Sequence, residues 1–164
     1  MTEQPTTVLV LAEDTLNPAD VAHILDLHPD EQLAYEVLVP ADSERNFAVE
    51  LIDHLSVGEL REAWRDLRRE APSEQDAERT AQDRAAASAA EIAAAGRAAT
   101  TLVTDDDPLP ALADRARAGD VREVVVVTYP HALEDTFHRD WASRARDELE
   151  LPVLHLYSGT SELG

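Results

Sequence analysis

Val121–Thr128 reads VREVVVVT, with valine at four consecutive positions. A strand that turns one face to water alternates apolar and polar residues. Four valines in a row leave no polar face, so this strand needs a cover on both sides. Parallel sheets have such covers, because the crossover helices between their strands pack on both faces. The rest of the chain must therefore alternate helices with further strands.

It does. Residues 7–12 (TVLVLA), 32–39 (QLAYEVLV), 98–104 (AATTLVT) and 151–157 (LPVLHLY) read as the other strands. Asn17-Pro18 is a helix start, with Asn17 as N-cap and proline at the first helical position. Asp107-Pro108 repeats that signal, and Gly119 ends the helix it opens. A long alanine-rich helix is expected from about Ser73 to Gly96, with Gly96 as the C′ glycine. Residues 46–55 read as a short helix. Ser56 and Glu59 fit a capping box for another, with Leu60, Ala63, Trp64 and Leu67 on one face. Together these make a helical insert over about 44–97. A last helix is expected over about 132–149. The order predicts one α/β domain over residues 1–164, with a parallel sheet and helices on both faces.

Charge narrows the partners. Thirty-four acids face fourteen bases, all of them arginine, for a formal net charge of -20. Such a chain repels nucleic acid and anionic membranes. No apolar run approaches the roughly 20 residues of a membrane span. The N-terminus MTEQPTT lacks the basic and apolar regions of a signal peptide, so the expected location is cytoplasmic. Cysteine is absent, which excludes disulfides and thiolate chemistry.

The pattern resembles the universal stress protein family. TTVLVLAED is similar to the family's first strand, which ends in an acid. The region from Gly96 to Val127 is similar to its second half, and LPVLHLY to its last strand. The resemblance implies an open, doubly wound five-stranded sheet in the order 3-2-1-4-5. It also implies a homodimer joined along the last strand, through Val153, His155 and Tyr157. ATP-binding members carry G-x-x-G-x9-G-S/T after the fourth strand. Here Val127, Pro130, Asp140 and Trp141 stand at those positions. Proline has no N–H to offer a phosphate. The aspartate would set a carboxylate beside a triphosphate, and Trp141 would fill the space. The phosphate-binding residues are therefore not carried over.

In open α/β sheets, ligands bind outside the carboxyl ends of the strands, where strand order reverses. The expected rim holds Glu13, Asp14, Asp42, Asp105, Asp106, Asp107, Thr128 and His131, with Glu134 close by. Like charges at close range repel by about 1 kcal/mol in water and by more in a less polar crevice. A cationic ligand or a divalent cation suits such a rim better than a bare polyphosphate. His131, Glu134 and His138 fall within one sector of a helix and could ligate a metal, although i, i+3 is not the usual paired-histidine spacing. Leu133, Phe137, Trp141 and Ala145 recur every four residues, as a core stripe does. Asp135, His138 and Ser143 lack the strand-to-helix elbow of a hydrolytic triad.

The reading reached from sequence is a non-catalytic binding or regulatory protein of the non-ATP-binding type. It needs no cofactor, and its partner is a small ligand or a protein. Two alternatives stay open: an adenine-nucleotide binder with a rebuilt loop and Mg²⁺, and a small metal-dependent hydrolase using His131, Glu134 and His138.

Overall fold

The computed structural model describes residues 6–41, 74–105, 107–128 and 135–158, except the side chains of 74–77 and 135–140. Five strands form one parallel sheet: β1 (Thr7–Ala12), β2 (Ala34–Pro40), β3 (Ala99–Thr104), β4 (Val121–Thr128) and β5 (Val153–Tyr157). Their order is β3-β2-β1-β4-β5, as expected. Four helices are described: α1 (Pro18–Asp26), α2 (Glu74–Ala94), α3 (Leu109–Arg117) and α4 (Asp135–Glu148). The architecture is α/β and Rossmann-like. The insert as far as residue 73 lies outside the described residues.

The valine run explains the layering. Val125 and Val127 join Val8, Val10, Val37 and Val39 on one face, beneath Val21 and Ile24 of α1 and Ala81, Ala85 and Ile92 of α2. Val124 and Val126 join Leu9, Leu11 and Leu38 on the other, beneath Leu109 and Leu112 of α3 and Ala142 and Ala145 of α4. Val124, Val125 and Val126 have no exposed surface, as a strand covered on both faces requires. Burying each such side chain contributes about 1.5–3 kcal/mol.

Local chemistry sets the helix ends. Asn17 caps α1, with Pro18 inside the first turn. Gly96 follows α2 at φ 87° and Gly119 follows α3 at φ 85°. That left-handed backbone is where glycine avoids the Cβ penalty. Arg97 N–H reaches back to the Ile92 carbonyl at 3.3 Å and closes α2. α3 starts one residue later than Asp107-Pro108 suggested, but Asp107 still caps it, accepting from Leu109 N–H at 3.1 Å.

Candidate functional site

β1 and β4 lie side by side at the point where the connections leave in opposite directions. Glu13 follows β1 there. It is buried, and its N–H donates to the Val127 carbonyl at 3.2 Å. Asp14 turns outward. Its Oδ1 accepts from Thr15 N–H at 2.6 Å and pairs with Arg84 Nε of α2 at 3.1 Å. The next turn is fastened to the same helix. Leu16 N–H donates to Ser88 Oγ at 2.9 Å, and Ser88 donates to the Arg84 carbonyl at 2.8 Å. Ser88 has no exposed surface, so its hydroxyl links the β1–α1 turn to the α2 backbone away from water.

The N-terminus of α1 is closed by its own residues. Asn17 Oδ1 accepts from Asp20 N–H at 2.8 Å, and Asp20 Oδ2 accepts from Asn17 N–H at 3.3 Å. Ser158, just past β5, donates its hydroxyl to the same Asp20 oxygen at 2.6 Å. Asn17 Nδ2 donates to that hydroxyl at 3.5 Å. The Ser158 N–H continues the sheet by donating to the Thr128 carbonyl at 2.7 Å. Asp20 and Ser158 are each 6% exposed, so the carboxylate sits on the helix end with little water around it.

Thr128 stands at the end of β4, 2% exposed. Its hydroxyl shares a 2.8 Å hydrogen bond with His155 Nε2 on β5. The His155 ring lies 4.6 Å from that of Tyr157, tilted by 45°. Val153 and His155 are buried within the monomer, and Tyr157 is half-buried.

Two further acids of the expected rim, Asp105 and Asp107, are among the described residues. β3 is the outermost strand on its side, two strand spacings of about 4.8 Å from β1. Asp105 is exposed there. Asp107 caps α3 with one oxygen and pairs with Arg144 Nη2 of α4 at 3.1 Å with the other. Among the described residues, no three His, Asp or Glu are grouped so as to hold a metal ion. Asp42, Asp106, His131 and Glu134 lie outside the described residues, as do the side chains of Phe137, His138 and Asp140. Trp141 is half-buried and packs on the core beneath α3 and α4. No helix of the described residues is long and apolar enough to cross a membrane.

The opposite end of the sheet is also polar, which sequence reasoning missed. His28 Nε2 lies 2.7 Å from Glu123 Oε1, and its Nδ1 lies 3.5 Å from Glu31. Arg122 pairs with the other oxygen of Glu31. Arg115 Nε of α3 meets Glu36 at 2.5 Å, and its Nη1 meets Asp120 at 3.2 Å. The hydrogen bond from Arg115 holds the Asp120 carboxyl below the usual carboxylate range. The same bond, with a second one to Glu36, raises Arg115. Burial pushes the Tyr35 hydroxyl up; the nearby Arg97 opposes that shift, while Glu123 and Glu31 add to it.

No protein-family model matches the chain, and no curated protein matches it.

Proposed function

We propose that this chain is a non-catalytic binding and regulatory protein of universal stress protein type, without that family's triphosphate chemistry. Its ligand is a neutral or cationic small molecule, or a protein, met at the carboxyl ends of β1 and β4. It acts in the cytoplasm as a homodimer joined along a sheet edge.

One observation carries this reading: the closed cap of α1. A helix N-terminus attracts anions because its N–H groups are unpaired and its dipole is positive. Here the Asp20 carboxylate, held by Asn17 and Ser158, occupies that position. A polyphosphate approaching the crevice meets Glu13, Asp14 and Asp20 in succession. The loss of glycines at Val127 and Pro130 points the same way. Glu13, buried at the end of β1, matches the acid that the resemblance puts beside an adenosine, so nucleotide binding is the reading to test against.

Equilibrium dialysis of the whole chain with ATP and Mg²⁺ makes that test. No saturable uptake is expected. Stoichiometric binding would overturn the proposal and favour the nucleotide-binding alternative.

A further inference from the structure

The sheet ends in two edges, β3 and β5, and they differ chemically. In a parallel ladder, alternate residues turn their backbone groups toward the neighbour and away from it. Tyr35 N–H bonds the Ala98 carbonyl and Ala41 N–H bonds the Thr104 carbonyl. Hence Ala99, Thr101 and Val103 turn their backbone groups outward. On β5, the bonds from Val124 N–H to the Pro152 carbonyl and from Ser158 N–H to the Thr128 carbonyl leave Val153, His155 and Tyr157 facing outward. One of those β5 acceptors is already taken: Arg146 Nε donates to the Val153 carbonyl at 3.3 Å. The chain thus guards part of its β5 edge with a cation.

Among the described residues, β3 has no such guard. Its six residues, ATTLVT, include no charge and no proline. Thr100 and Thr101 are exposed. Among the described residues, no hydrogen bond reaches the outward backbone groups of Ala99, Thr101 and Val103. An open, uncharged, β-branched edge is a template for pairing, and natural edges are normally blunted by charge, proline or a covering segment.

We infer that β3 pairs antiparallel with β3 of a second copy, about a two-fold axis at Thr101, joining two sheets into one. The register follows from chemistry. With the axis at Thr101, outward residues oppose outward residues, Thr101 on Thr101 and Ala99 on Val103, as hydrogen-bonded pairs. Thr100 then covers the half-buried Leu102 of the other copy. Arg97 and Asp105 stand four residues before and four after the axis, so each Arg97 faces the other copy's Asp105. Asp105 is exposed. Arg97 spends one Nη on the exposed Pro29 carbonyl at 3.4 Å, which leaves most of its five donors for the carboxylate. An axis at Ala99 or Val103 keeps the backbone bonds but separates those charges. An axis at Thr100 or Leu102 also keeps outward residues opposed, with Ala99 on Thr101 or Thr101 on Val103, but takes Arg97 away from Asp105.

The inference rests on the self-association part of the proposed function and moves its edge from β5 to β3. The ATP experiment tests the ligand part separately. The test is sedimentation velocity of the whole chain across micromolar to millimolar concentrations. Physiological salt, with a screening length of about 8 Å, damps the repulsion between two acidic copies. The wild type should dimerise. Thr101→Lys sets like charges on the axis and should raise the dissociation constant on the order of tenfold or more. Arg97→Asp and Asp105→Arg should each weaken the dimer, and the double exchange should restore it. Tyr157→Lys should leave it intact. Circular dichroism of each variant checks that the monomer is folded. A wild type that stays monomeric, a Thr101→Lys protein that dimerises normally, a double exchange without rescue, or dissociation by Tyr157→Lys alone would each overturn the inference.

Discussion

The two ends of the sheet solve the same problem with different chemistry. At each end, strands stop and backbone groups and polar side chains must find partners. The amino end uses a hydrogen bond between His28 and Glu123 and ion pairs of Arg122 with Glu31 and of Arg115 with Glu36 and Asp120. The carboxyl end has the ion pairs Asp14 with Arg84 and Asp107 with Arg144, and adds helix caps and buried hydroxyls: Ser88 for Leu16, Ser158 for Asp20, Thr128 with His155. Partly exposed ion pairs are weakened by salt. Buried hydroxyl bonds are not, and losing one strands a polar group. The amino end is therefore a fastening that tolerates change, except where a partner is buried. The carboxyl end is a shaped surface, as a binding end must be.

The largest expected effect tests that exception. Glu123 is 8% exposed, and His28 is the partner that the structure gives it. His28→Ala should cost about 2–3 kcal/mol, the range for orphaning a buried charged group. Replacing Glu123 by leucine in the same protein should recover most of it. Urea unfolding measures both, and an unchanged midpoint for His28→Ala would break the contrast. Asp20→Ala removes the reciprocal half of the capping box, the acceptor for Asn17 N–H, and leaves the Ser158 hydroxyl without its acceptor. It should cost about 1–2 kcal/mol, and equally at low and high salt. A strong salt dependence there would mean that the carboxyl end is electrostatic after all.

Arg115→Ala should have the smallest effect, about 1 kcal/mol at low salt and less at high salt. It also has a pH signature. Arg115 lowers the Asp120 carboxyl in the folded state. Stability from that pair is complete above the ordinary carboxyl value near 4 and is lost as the pH falls through the lower folded value. The variant should show a shallower acid limb than the wild type. Parallel acid limbs would show that the pair contributes nothing.

What could be read in advance was local. The valine run implied two covered faces, and both clusters formed around it. Asn17-Pro18 and Gly96 marked helix ends because capping acts within a few residues. The polar pairs were not legible, because they join segments far apart in the chain. His28-Pro29 signals no more than the end of a helix, yet His28 meets Glu123 across the sheet. Ser88 is one polar residue in an alanine-rich helix, and Ser158 simply follows the last strand, so neither carries a local signal. A single sequence shows periodicity but not which side chains meet when strands are reordered. Where the described acids of the expected rim stand was not legible for a related reason. Asp105 follows the outermost strand and Asp107 caps α3, and strand order sets β3 two strands away from β1, which Glu13 follows.

The central position of β1 bears on how the chain reaches this state. Of the five described strands β1 is synthesised first, and Thr7 pairs with both Ala34 and Val121. Its second neighbour therefore emerges more than a hundred residues after it. At roughly 5–20 residues per second, β1 waits on the order of 5–20 s with one side open. Leu9 and Leu11, which end without any exposed surface, spend that interval uncovered or in borrowed contacts. The amino-terminal half cannot finish its sheet alone. Docking of β4 is thus the step that commits the chain, and slow docking is where a ribosome-bound chain is most open to chaperones.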